Sequence, residues 1–155
     1  MLRRLIATTD DVGPAIARLV LGIVILPHGM QKVFGAFGGP GFAGTMQFFT
    51  GTMHIPYVFG VLAVAAEFLG GLGLIFGLFG RVAAFAVAVE MIVAVLTTHL
   101  QNGFFMNWFG TQKGEGFEYH LLMVGLALVV MLKGSGAISL DRALSGRLAL
   151  QNRLR

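Results

Sequence analysis

Four stretches of about twenty residues run through this chain with almost no charge, at approximately 14–34, 56–79, 81–101 and 116–133. A bilayer core of about 30 Å needs about 20 apolar residues at 1.5 Å per residue, so each stretch has the length of a membrane-crossing helix. Long continuous runs exclude a membrane barrel, which would show at least about eight alternating ten-residue segments. Composition agrees: of 155 residues, 56% are hydrophobic and 12% charged, and a soluble surface needs about twice that charge. The expected fold class is all-α, one domain over 1–155. It is a four-helix transmembrane bundle with an outer interfacial or re-entrant segment and a C-terminal amphipathic tail.

Pro14 and Pro56 sit where helices start, because a first-turn proline lacks an N–H that the helix does not use. Pro27 lies inside the first run and predicts a kink before His28. The opening Met-Leu-Arg-Arg has the charge of a signal peptide, but Asp10, Asp11 and Arg18 interrupt its apolar region, so the first span is retained. Arg3, Arg4, Arg81, Lys133, Arg142, Arg147, Arg153 and Arg155 flank one face, while Lys32 and Lys113 flank the other. The positive-inside rule puts both termini in the cytoplasm of a bacterial-type inner membrane. The pI of about 10.1 then requires no nucleic acid, since a basic tail beside anionic lipid accounts for it. Leu140, Leu144 and Leu148 form a stripe in that tail, and Ser139 is placed to cap it.

Apolar burial does not drive helices together in lipid, so small residues must let them approach. Gly60, Gly70, Gly71, Gly73, Gly77 and Gly80 supply them in and after the second run, with a GxxxG pair at Gly73 and Gly77. Ala83, Ala86 and Ala94 share the face of Glu90. Phe42, Met46, Phe49 and Met53 form a helical stripe in the first outer loop, suited either to covering the bundle mouth or to an aromatic belt. The second outer loop, 102–115, is aromatic as well.

Ionisable groups at membrane depth are costly unless paired or facing a cavity, so they are the candidate functional residues. Glu67 and Glu90 fall near the midplane and are candidate proton relays, with Arg18 the suspected partner of Glu67 although it lies nearer the cytoplasmic end. His28, Lys32, His99, Glu118 and His120 fall near the outer level and are candidate ligands for a quinone head group, a haem or a metal. No compact metal-ligand spacing is present. With no cysteine, thiol chemistry and iron–sulfur ligation are excluded. Each group also has a structural reading: a bundle lock for Glu67 and Glu90, an interfacial pair for His28 and Lys32, a helix start for Glu118 and His120. His99 falls on the helical face opposite Glu90.

The stretches 18–32, containing His28-Gly-Met-Gln-Lys32, and Glu67-Phe-Leu-Gly-Gly-Leu-Gly-Leu-Ile-Phe-Gly77 carry a family resemblance. So do Arg81, Gly103-Phe-Phe-Met-Asn-Trp108, Gly114-Glu-Gly-Phe-Glu-Tyr-His120 and Gly134-Ser-Gly-Ala-Ile-Ser-Leu-Asp141. Together they resemble the DoxX family over nearly the whole chain. That resemblance implies a four-helix inner-membrane protein related to the membrane subunit of thiosulfate:quinone oxidoreductase. The family pattern falls on Arg18, His28, Lys32, Glu67, Gly71, Arg81 and Glu118. The expected role is a membrane subunit coupling a partner redox protein to the quinone pool. The alternatives are a non-catalytic anchor or scaffold for a soluble redox enzyme, and a small-solute or proton conduit. Self-association is left open.

Overall fold

A computed structural model describes the backbone of residues 2–153 and the side chains of residues 3–147. All elements among them are helical: α1 (Leu2–Leu5), α2 (Val12–Phe34), α3 (Gly41–Gln47), α4 (Tyr57–Phe76), α5 (Gly80–Ala94), α6 (Glu118–Lys133) and α7 (Leu140–Arg153). A π-helical turn, Phe48–Thr52, extends α3, and another, Val95–His99, carries α5 on towards Asn102. Asp11 caps α2 by accepting a hydrogen bond from Gly13 N, and Gly35 and Gly77 end α2 and α4 in left-handed conformation. Helix α2 runs unbroken across Pro27.

Helices α2, α4, α5 and α6 close a ring, each packed on two of the others: α2 on α4 and α6, α5 on α4 and α6. Leu21, Ile25, Leu74, Ala84, Val87, Ala127 and Val130 form its fully buried core. Three helices are long and apolar enough to cross a membrane, Val12–Phe34, Tyr57–Phe76 and Gly80–Asn102. The fourth expected run is helical as α6, but with 16 residues it falls short of the length of those three.

The register of α2 on α4 is set by glycines. A Cβ at Gly22 would stand 3.0 Å from Ile75 N, one at Gly71 3.0 Å from the Leu26 Cα, and one at Gly29 2.6 Å from the Phe68 backbone. The backbones therefore touch along an antiparallel line on which Gly29 is level with Glu67–Phe68. Of the expected packing glycines, Gly71 serves this contact, whereas Gly77 ends α4 against Ser139, so the GxxxG pair is not a helix–helix motif. On this register Phe34 comes level with Ala63, and α4 stands about 9 Å taller than α2. Helix α3 and its π turn fill that step. Met46 is buried and, with Phe49, covers Gly60, while Phe42 stays exposed.

At the opposite end the polar residues act as helix caps. Arg18, 1% exposed, donates to Leu74 O and Ile75 O at 2.5 Å, to Ser135 O at 2.9 Å and to Ile138 O at 3.1 Å. The first two belong to the last turn of α4, whose carbonyls have no donor within the helix. This corrects the expected pairing: Arg18 secures the end of α4 and does not reach Glu67. Asp141 accepts from Phe79 N (2.8 Å), Gly80 N (3.0 Å) and Ser135 Oγ (2.6 Å), holding the start of α5. Arg81 donates to Ala7 O, Met131 O and Leu132 O, the latter two in the last turn of α6. Ser139 Oγ accepts from Arg142 N at 3.3 Å and caps α7 as expected. Leu140 and Leu144 are exposed; the side chains of Leu148, Arg153 and Arg155 lie outside the described residues.

Candidate functional site: a polar cluster in an apolar cavity

The α2–α4 register brings Lys32 within reach of Glu67, although one begins near the outer end of its run and the other near the middle. Lys32 Nζ lies 2.7 Å from Glu67 Oε1, as a hydrogen bond, and 2.6 Å from Oε2. Only three residues, Gly77 to Phe79, separate α4 from α5, so positions equally far from that turn share a depth. Gly70 accordingly faces Val87, and the Glu67 carboxyl adjoins that of Glu90. One ammonium, bonded to Glu67, thus stands beside two neighbouring carboxyl groups.

The outer half of the cluster depends on the π turn in α5. Nine residues of regular α-helix would set His99 about 180° from Glu90. The wider turn at Val95–His99 absorbs a residue, and both side chains line the same cavity. His99 places its ring 4.1 Å from that of His120, and its Nδ1 lies 2.9 Å from Glu115 O. The Tyr119 ring stands edge-on to His120 at 5.3 Å. His28 approaches the same pair from α2.

These groups open onto a cavity of about 1390 Å³. His28, Lys32, Glu67, Glu90, His99, Tyr119 and His120 lie at its polar part, and most of the remaining wall is apolar. Glu90 Oε2, Tyr119 Oη and His120 Nδ1 are buried there without a hydrogen-bond partner. Buried polar atoms are nearly always paired, so three such atoms around one cavity mark a place for a ligand or ordered water. No group of three or more acidic or imidazole side chains is arranged to hold a metal among the described residues.

Of the candidates named from sequence, His28, Lys32, Glu67, Glu90, His99 and His120 meet at this cavity. Glu118 does not line it. Its Oε1 accepts from Met106 N at 2.9 Å and Trp108 Nε1 at 3.2 Å, bracing the outer loop above the site. Tyr119 was missed, though a tyrosine between Glu118 and His120 carries an apolar ring and a polar end that needs a partner when buried.

The ring of apolar helices around this cluster of ionisable groups marks a helical membrane protein. The chain belongs to the DoxX family, whose model matches residues 13–100. It is 30% identical over 131 residues, 84% of this chain and 86% of the relative, to "Putative oxidoreductase CatD" of Bacillus subtilis. It is 30% identical over 137 residues, 88% of this chain and 95% of the relative, to "Inner membrane protein YqjF" of Escherichia coli. No solved structure matches it significantly.

Proposed function

We propose that this protein is the membrane subunit of a redox complex, joining a partner oxidoreductase to the quinone pool, with the head group held at the Glu67–Glu90–His120 cluster. The observation that carries the reading is the set of unpartnered atoms, Glu90 Oε2, Tyr119 Oη and His120 Nδ1, at the polar part of an apolar cavity. Aromatic and aliphatic walls with a few convergent polar groups are the usual lining of small-molecule sites. The oxidoreductase named among the relatives is consistent with it.

A quinone supplies two-electron, two-proton chemistry. Tyr119 Oη and His120 Nδ1 are placed to donate to a carbonyl oxygen, and Glu90 to exchange the proton that must accompany charge there. Lys32 holds Glu67 in place beside Glu90. The electrons come from the partner's redox group, since a chain without cysteine has no thiol couple of its own. The proposed topology has four spans, α6 included, with both termini in the cytoplasm and the cluster in the outer half of the bilayer.

The test is gentle purification followed by solvent extraction and mass spectrometry for quinone, repeated on His120→Ala and Glu90→Gln. The wild type should carry quinone, and both variants should lose it while keeping the melting temperature of the wild type. Quinone-free wild-type protein that also fails to take up added quinone overturns the reading.

A further inference from the structure

The cavity does not stop at the polar cluster. It continues as a groove between α4 and α5, past Leu69, Gly70 and Gly73 on one side and Ala83, Ala86 and Val89 on the other, to Phe76 and Phe79 near the turn that joins the helices. Its floor is made of small residues that let the two helices meet: a Cβ added at Gly70 would be in ordinary contact with Val87 at 3.6 Å. Its edges are large and exposed, Leu69 at 63%, Phe76 at 60% and Phe85 at 55%. Along α5 the apolar lining between the turn and the polar cluster runs from Val82 to Val89, a rise of about 10 Å, about a third of a hydrocarbon core. An apolar trench of this length, open on the outward faces of α4 and α5 and ending at buried hydrogen-bonding atoms, has the shape of the head-proximal part of a tailed amphiphile.

The charges select the head. Lys32 is already paired with Glu67, and the Glu90 carboxyl stands beside that pair, so the one lysine among the described residues lining the cavity is taken up before any head group arrives. A phospholipid phosphate is disfavoured on that account, whereas a neutral head with carbonyl or hydroxyl oxygens meets the unpartnered Tyr119 and His120 atoms. Resting on the quinone reading above, we propose that the α4–α5 groove holds the head-proximal part of the apolar tail of a lipid-soluble quinone, which enters sideways from the bilayer, tail along Gly70, Gly73, Ala83 and Ala86. The helix seam is then the specificity element for tail length, while the polar cluster reads the head.

The experiment measures quinone retained by the protein in phospholipid nanodiscs, where lipid competes throughout, using benzoquinones with no tail, a decyl tail and a long isoprenoid tail. Ala86→Phe fills the groove one helical turn from Glu90, on the side towards the α4–α5 turn. It should weaken retention of the tailed quinones at least tenfold and change the tail-less one less than twofold. A diazirine at the end of the decyl tail should label wild-type protein between Leu69 and Phe76 or between Val82 and Val89, a result that needs no variant to fold. Equal losses for all three quinones, no loss for any, or label spread over α2 and α6 overturns the groove and leaves the head-group reading standing. Absence of binding by every quinone overturns both.

Discussion

At the residue scale, each buried charge in the bundle has its own means of being tolerated. Glu67 exposes 6% of its side chain and Lys32 exposes 23%, so removing either leaves the other in an apolar surround. Glu67→Ala should lower stability by about 3 kcal/mol, and Lys32→Met with Glu67→Leu together should lose much less, because a buried pair is worth little against apolar residues while a broken one is costly. Thermal unfolding of the single and double variants in one detergent checks this. Arg18 serves carbonyls from α4 and from the segment leading into α7 with one planar guanidinium. Arg18→Lys keeps the charge but cannot span four acceptors, and should cost about 2 kcal/mol in the same assay.

At the element scale, the approach of α2 to α4 decides whether the cluster exists. A Cβ at Gly29 would meet the Phe68 backbone at 2.6 Å, and backbone cannot step aside as a flexible side chain does. Gly29→Ala should therefore destabilise the fold by about 2–3 kcal/mol. Gly125, on α6, has nothing within 4 Å of its would-be Cβ; Gly125→Ala should be neutral or stabilise by up to about 1 kcal/mol through helix propensity. Melting temperature and monodispersity of the purified variants distinguish the two. Capping makes a third element-scale expectation. Asp141→Ala removes acceptors from Phe79 N, Gly80 N and Ser135 Oγ and should cost about 2 kcal/mol, while Asp141→Asn retains part of it.

At the scale of the whole molecule, the N-terminal segment, the α4–α5 turn and the α6–α7 junction gather at one end. Arg142 Nη2 lies 2.6 Å from Asp10 Oδ2, and Ser145 Oγ donates to Ile6 O at 2.8 Å. The two end segments therefore share one end of the bundle, and the proposed orientation, with that end in the cytoplasm, rests on the basic residues there. A C-terminal fluorescent-protein fusion should fluoresce, and a C-terminal alkaline phosphatase fusion should be inactive. The reverse pattern inverts the orientation.

The helices, their approximate limits and the Ser139 cap were legible in the sequence because they follow from runs of apolar residues and from local hydrogen bonding. The shared depth of Glu67 and Glu90 was legible too, since a three-residue turn between two helices leaves no slack. The Lys32–Glu67 pair was not. It depends on Gly22, Gly29 and Gly71 letting two backbones touch at one axial offset, and a side-chain pattern carries no information about that offset. The union of His99 with Glu90 depends on a π turn that helical periodicity does not anticipate. Arg18 was placed at the correct end and at a depth unlike that of Glu67, but its actual partners were not legible, because the orphan carbonyls it serves exist only once α4 has ended against the segment before α7. By itself the sequence determined an all-helical membrane protein and which ionisable groups it carries inward. The tertiary structure alone decided which of them meet, because helix rotation and axial register arise from contacts between segments distant in the chain.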